Sequence, residues 1–251
     1  EDEHDRIVET GIDGEVEKRS RTDDTGGCEE RETRDYHLTV KEIYDFAGSV
    51  DYEDIKFILE DRTLNLALAQ EGLKGDYGLK VGKTIQANAD TVFGNDFLSY
   101  AMALTAAASD ARMAGCTLPA MSNSGSGNQG ITVSMPIIAY ALKYNISDEK
   151  LARALILSNL VAIHIKGYLG RLSALCGCVV ASTGSSCGLV WLKGGSYEMV
   201  CSAIKNMIGN ITGMVCDGAK VGCAMKVASG VSSSIQSAVL ALDGIHACET
   251  D

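Results

Sequence analysis

From Thr39 onward, apolar residues recur at three- and four-residue intervals; before it they do not. Thr39-Val40-Lys41-Glu42 spells a capping box, in which hydroxyl and carboxylate each satisfy an exposed backbone N–H. It predicts a helix to about Ala47, ended by Gly48. Ile55, Ile58, Leu59, Leu66 and Ala69 keep helical spacing, which predicts a second helix or a pair up to Gly72. Gly75 to Gly82 reads as a loop. Phe97–Met113 is Ala-rich and strongly apolar, the pattern of a buried helix. Further helices are predicted over Ile131–Lys143, from Ser147 to about Ile165, and over 172–192, 197–209 and 220–242. Apolar alternation of period two is scarce, and no fixed repeat emerges. The pattern predicts a mainly α, close-packed domain over 39–251. Residues 1–38 form a charged extension, a small irregular or β portion, or the end of an upstream domain.

Composition sharpens this picture in three places. The 251 residues are 46% hydrophobic, enough for one large core. The net charge of −11 is concentrated in residues 1–35, where 14 acidic side chains face 6 basic ones. The body is therefore almost neutral, and a nucleic-acid-binding surface is not expected. Leu172 to Leu192 carries no charge, but four serines and a threonine dilute it. That composition suits a helix buried in protein better than one facing lipid, so no membrane partner is expected. Glu1 stands where a natural chain would begin with methionine, and no basic, apolar leader follows. The expectation is a piece of a longer cytoplasmic protein. In a reducing compartment its nine cysteines would be buried apolar residues or metal ligands rather than disulfides.

Two constellations could carry chemistry. Ser122-Asn123-Ser124-Gly125-Ser126-Gly127-Asn128-Gln129-Gly130 lays small polar residues at the start of an apolar helix, where free N–H groups bind anions; an ordinary Gly/Ser turn is the plain alternative. Gly125, Gly127 and Gly130 match the dinucleotide fingerprint, but a helix precedes them rather than a strand, so that reading is rejected. Cys216 and Cys223 stand seven residues apart, two turns on one face if their segment is helical, and Cys176-Gly177-Cys178 adds thiols from an earlier element. Neither spacing is that of a zinc ribbon. By spacing alone, buried structural thiols are the simpler reading and three corners of an iron–sulfur cluster the sharper one. His164 and Lys166 fall on roughly opposite sides of one helix. Arg112 could meet a substrate carboxylate or a structural acid such as Asp110. Asp217 could be a helix cap or an acceptor beside a metal ligand.

Asp110–Cys116, Ser122–Ile131, His164-Ile165-Lys166, Cys176-Gly177-Cys178 and Cys216–Cys223 together resemble the bacterial proteins grouped with L-cysteine desulfidase. More distantly, they are similar to the α-chain of iron–sulfur L-serine dehydratases. The resemblance runs from Thr39 to the C-terminus. It implies a serine dehydratase alpha-chain-like helical fold and a [4Fe–4S] cluster on Cys178, Cys216 and Cys223, with one iron open and no pyridoxal phosphate. Such a cluster would be lost from an aerobically prepared sample. The Ser/Asn/Gly loop falls where the dehydratases bind substrate, making Asn123, Ser124, Gly125 and Asn128 substrate-contact candidates. His164 or Lys166 would orient the substrate or a cluster ligand. The family's N-terminal Gly-Cys-Thr-Glu-Pro-type motif, with its proposed base, is absent, and Gly115-Cys116-Thr117-Leu118-Pro119 does not take its place.

The implied activity is β-elimination from a small L-amino acid, L-cysteine ahead of L-serine because of the Cys216-x6-Cys223 spacing. A homodimer is compatible with the resemblance. The alternative of a different class is a non-catalytic amino-acid-binding or redox-sensing domain of the same fold.

Overall fold

Thr39 caps the first helix as its motif predicts. Its hydroxyl accepts from the Glu42 N–H while the Glu42 carboxylate accepts from the Thr39 N–H, and α1 runs Val40–Ser49. A computed structural model describes residues 9–12, 15–19, 38–170 and 173–248. Two compact units are distinguished, 1–37 and 38–251. In the first, Glu9–Ile12 pairs antiparallel with Glu15–Arg19 in a short hairpin whose register slips between Thr10 and Gly11. The rest of 1–37, including Cys28, lies outside the described residues.

Among the described residues, the named elements of the second unit are all helices. After α1 come α2 (Tyr52–Ile55), a 3-10 turn (Lys56–Leu59), α3 (Glu60–Lys74), α4 (Val81–Ala87) and a π turn (Ala89–Phe93). Then follow α5 (Phe97–Met113), α6 (Gly127–Tyr144), α7 (Asp148–Leu169), α8 (Gly177–Leu192), α9 (Tyr197–Ile211) and α10 (Cys223–Leu242). Side-chain caps start α5, α6, α7 and α9 at Asp96, Ser126, Ser147 and Ser196, each accepting an N–H that the first turn leaves unpaired.

Within the uncharged stretch, Gly177–Leu192 forms α8, the central helix, packed by α6, α7, α9 and α10. Its small residues are what allow this. A Cβ on Gly184 would lie 2.4 Å from the Ser158 carbonyl oxygen, and one on Gly188 would lie 2.3 Å from Ile137 Cδ1. Close approach of backbones replaces bulky side chains as the source of packing density. Among the described residues, no helix is long and apolar enough to cross a membrane.

Several boundaries differ from the sequence expectation. The loop expected over 75–82 ends at Lys80, and Gly82 is a buried residue of α4. There a Cβ would lie 2.4 Å from the Ala103 carbonyl oxygen, so a glycine that reads as punctuation serves helix packing against α5. α6 begins four residues early, at Gly127, because Ser126 caps it. α7 extends to Leu169, and α8 begins only at Gly177.

The largest correction concerns Cys216–Cys223, which is not helical. Gly218 sits at φ +93° and α10 starts at Cys223 itself. The Cys216 N–H is drawn instead to the Ala174 carbonyl oxygen at 2.7 Å. Long-range pairing there outweighs a local helix.

Candidate functional site

The Ser/Asn/Gly loop is a tight turn. Asn123 and Ser126 exchange backbone hydrogen bonds at 3.1 and 3.0 Å, with Ser124 at φ +49° and Gly125 at φ +79° between them. Two successive positive φ values define a primed turn, which glycine adopts freely and serine does not. Ser124 and Gly125 are exposed, whereas Asn123 is buried beneath them.

A polar network holds the turn from below. The Asn123 side-chain amide donates to Asn159 Oδ1 at 2.8 Å, and Asn123 Oδ1 accepts from Gln129 Nε2 and Ser124 Oγ, both at 2.9 Å. Asn159, on α7, donates in turn to Asp61 Oδ2 on α3 at 3.2 Å. Asn65 secures the approach to the loop by accepting the Met121 N–H at 3.0 Å while donating to Ser134 Oγ. Asn128, half-buried, accepts from the Ser109 hydroxyl at 3.2 Å. Asp61, Asn65 and Asn159 escape sequence reasoning because polar residues are ordinary in a helical pattern; only the burial of Asp61 and Asn65 and the hydrogen bonds of Asn159 reveal them.

Two glycines let neighbours reach the loop. A Cβ on Gly127 would lie 2.2 Å from Arg112 Nε, so the arginine presses against the first turn of α6. Arg112 does not pair with Asp110: its Nη1 contacts Met113 Sδ, while Asp110 Oδ2 accepts the Gly82 N–H at 3.0 Å. Asp110 Oδ1 is buried without a hydrogen-bond partner, and burial raises the pKa of this carboxyl.

The loop is continuous with the cysteines. A Cβ on Gly177 would lie 3.0 Å from Gln129 Oε1, so one glutamine touches both Asn123 and the first turn of α8. Thr132, one turn into α6, donates its hydroxyl to the Asn128 carbonyl oxygen at 2.8 Å. The N-terminal turns of α6, α8 and α10 thus meet here, and their exposed N–H groups favour negative charge.

Cys178 is buried against α10. Its thiol donates to the Lys226 carbonyl oxygen at 3.1 Å, and a Cβ on Gly230 would lie 2.5 Å from its Sγ. Burial pushes the Cys178 thiol up to about 12. Cys176 precedes α8, and its N–H donates to the Met214 carbonyl oxygen at 3.0 Å, with Leu175 and Val215 forming an antiparallel bridge. The bridge sets Cys176 opposite Met214 and exposed Cys216 opposite Ala174, so the two cysteines share one face of the pair, diagonal to each other. Burial raises the Cys176 thiol, and the neighbouring Cys216 and Cys223 raise it further. Cys223 opens α10 with its thiol 3.8 Å from the Gly218 carbonyl oxygen. Cys176 is therefore a fourth thiol in the group, beside the three that the resemblance picks out.

The remaining candidates lie as follows. Asp217 is neither a helix cap nor turned to a thiol: Lys220 and Lys226 hold its carboxyl far below the usual range, and Lys226 also donates to the Val215 carbonyl oxygen at 3.0 Å. His164 meets the Tyr168 ring edge-on at 5.2 Å, and burial lowers its pKa. Lys166 is half-buried two residues further along α7. A cavity of about 270 Å³ lies between α4 and the start of α5, lined by Ile85, Asp96, Tyr100 and Lys143, and it shares no residue with this region.

Four thiols, two at the start of α8, one at the start of α10 and one in the loop before it, are the soft donor set that iron–sulfur chemistry uses, so the residues fit such a group in kind. Among the described residues, no three Cys, His, Asp or Glu groups converge on one metal-ion position. The Cys178 thiol would have to leave the Lys226 carbonyl to join the others.

A helical domain with an Asn/Ser/Gly turn facing a cysteine group defines a class, and comparison with known proteins states which. Residues 7–250 match the family described as serine dehydratase alpha chain, and the chain belongs to that family. It is 54% identical over 246 residues to a UPF0597 protein of Oleidesulfovibrio alaskensis, covering 97% of this chain and 56% of the relative. A UPF0597 protein of Phocaeicola vulgatus is 47% identical, covering 98% and 56%. One of Clostridium perfringens strain SM101 is also 47% identical, covering 100% and 58%. The chain thus spans a little over half the length of these relatives.

Proposed function

We propose that this chain is the cluster-bearing part of an amino-acid β-eliminating lyase acting on L-cysteine or L-serine, with L-cysteine ahead. The observation that carries the reading is the continuity of the loop and the cysteine-bearing start of α8 through Gln129, which donates to Asn123 and lies against Gly177. A small substrate held by Asn123, Ser124 and Gly125 would lie over the thiol group.

Cys178, Cys216 and Cys223 would hold a [4Fe–4S] cluster, with Cys176 at hand in the same neighbourhood. Such a group, with one coordination position open, would supply a Lewis acid toward the leaving thiol or hydroxyl. The chain's own residues would bind and orient. The first turn of α6 and Arg112 suit the substrate carboxylate, and the loop suits its amino end. Burial keeps His164 neutral near pH 7 and able to accept a proton. Loss of the α-proton and of the β-substituent would leave an enamine, which takes up water to give a 2-oxo acid and ammonia. A cytoplasmic setting and a homodimer belong to the same proposal.

The test is anaerobic reconstitution with iron and sulfide beside a Cys216→Ala variant. About four of each per chain is expected, with most of it lost in the variant. Uptake no greater than that of the variant would remove the cluster. Cluster binding in a full-length relative without pyruvate formation from either amino acid would favour the redox-sensing alternative, to which exposed Cys216 also lends itself.

A further inference from the structure

The cavity beside α4 has no part in the reading above. Phe97 packs against Tyr140 with ring centroids 5.3 Å apart, while Arg112 presses on Gly127, so α5 and α6 run antiparallel. The start of α5 therefore lies beside the end of α6, on the order of 25 Å from the turn at 123–126 by the length of α6. Between α4 and α5 the chain makes its π turn, closed by the Gly94 N–H on the Ala89 carbonyl oxygen. Ala89 and Gly94, the two ends of that turn, both line the cavity of about 270 Å³.

Its walls differ in character. Ile85, Ala103 and Leu104 are buried and make an apolar floor. Two charges of opposite sign, Asp96 and Lys143, stand at the rim. Asp96 Oδ1 accepts the Ser99 N–H at 2.9 Å as the cap of α5, which leaves Oδ2 over. A Cβ on Gly94 would lie 3.6 Å from Oδ2, so the missing side chain leaves space on that side of the oxygen. Tyr100 follows one turn along the same face of α5, and Lys143 Nζ lies 5.7 Å from its ring centroid. Among the described residues, Lys143 forms no ion pair, and neither it nor the Tyr100 hydroxyl has a hydrogen-bond partner. A cation and a carboxylate thus share the rim without pairing with each other.

We propose that this cavity is a second ligand site, built for a small zwitterion with an apolar side chain, namely an α-amino acid of about leucine's size. Its carboxylate would accept from Lys143 and the Tyr100 hydroxyl, and its ammonium would donate to Asp96 Oδ2. Its side chain would cover Ile85, Ala103 and Leu104. At ~30 Å³ per water, the cavity has space for about nine water-sized atoms, the heavy-atom count of leucine. A plain carboxylate would set a second negative charge near Asp96, and a plain amine would leave Lys143 unpaired. Charge balance therefore favours the zwitterion over either. The inference does not rest on the lyase reading, since the cavity shares no residue with the turn or the thiols.

Binding of L-leucine to the whole chain, followed by NMR of side-chain methyl groups and backbone amides, tests it. The Ile85, Ala103 and Leu104 methyl signals are expected to shift and saturate, while the Ser124 and Gly125 amides stay in place. Lys143→Gln and Asp96→Asn should each weaken binding by about tenfold or more. Both side chains are exposed, and asparagine keeps an oxygen to cap α5, so both variants are expected to fold. Two analogues separate the charges: isocaproate lacks the amino group and isopentylamine lacks the carboxylate. Each should bind the wild type about tenfold more weakly than leucine, a comparison that stands should either variant not fold. Lys143→Gln should further weaken only the acid, and Asp96→Asn only the amine. Cavity methyl signals that do not move at millimolar leucine overturn the proposal, as do shifts confined to the turn. Isocaproate binding as tightly as leucine, with leucine unaffected by Asp96→Asn, overturns the zwitterion and leaves a simple carboxylate site.

Discussion

The turn at 123–126 and the segment at 212–222 border the same region and are built in opposite ways. Every polar side chain of the turn is tied to a partner, and its strained Ser124 is held by a network reaching through α6 and α7 to α3. The cysteine segment is exposed over most of its length, with Val215 63% exposed and Cys216 open. The Leu175–Val215 bridge and the lysines around Asp217 anchor it. A preorganised turn suits recognition, because ordering has already been done in folding. A lightly held segment suits residues that must rearrange around something they bind, as Cys178 would have to do to leave the Lys226 carbonyl.

The comparison can be broken most sharply at Gly130. A Cβ there would lie 2.0 Å from the Met121 carbonyl oxygen, so Gly130→Ala must push α6 away from the loop. A loss of about 3 kcal/mol in denaturant unfolding is expected. Gly218→Ala, in the cysteine segment, meets open space at φ +93° and should cost about 1 kcal/mol. Equal costs would mean that the two regions are equally rigid.

A second, similar effect follows pH. Burial raises the Asp61 carboxyl to about 7, above its ordinary value of 3.8. The folded state therefore binds this proton more tightly than the unfolded chain does. The contribution is fully present below about pH 4 and is lost as pH rises through 7, on the order of a few kcal/mol. Asp61→Asn should remove this slope and exceed the wild type in stability at pH 8; parallel pH–stability curves would contradict the burial argument.

The smallest effect is expected at Asp217. Asp217 and Lys220 are solvent-exposed and Lys226 only half-buried, so Asp217→Asn should leave the thermal midpoint nearly unchanged at moderate salt. A large fall would show that the cysteine segment is held more firmly than its exposure indicates.

Local patterning accounts for much of the fold. The capping box at Thr39, the Ser147 cap and the limits of α5 at Phe97 and Met113 are readable because each depends on neighbours within about one turn. The short α4 went unread because its glycine looks like a break until the surface of α5 is beside it. At the site, the turn and the cysteines could be picked out by residue type and resemblance. Asp61, Asn159 and the pairing of Cys176 with the Cys216 strand could not, since nothing local to them differs from an ordinary helix or loop.

The sequence by itself determined the helical class, the chemistry-bearing residues of the loop and the serine dehydratase-like resemblance. Periodicity, caps and side-chain chemistry are properties of neighbouring residues, and they survive being read in one dimension. Tertiary structure decided that Cys216 to Gly222 is a loop, that the starts of α6, α8 and α10 come together, and that a buried carboxylate on α3 meets Asn159 beneath the turn at 123–126. Those outcomes depend on which backbones approach closely enough to exclude water. There an unpaired polar group becomes costly, and a long-range hydrogen bond can outweigh a local one.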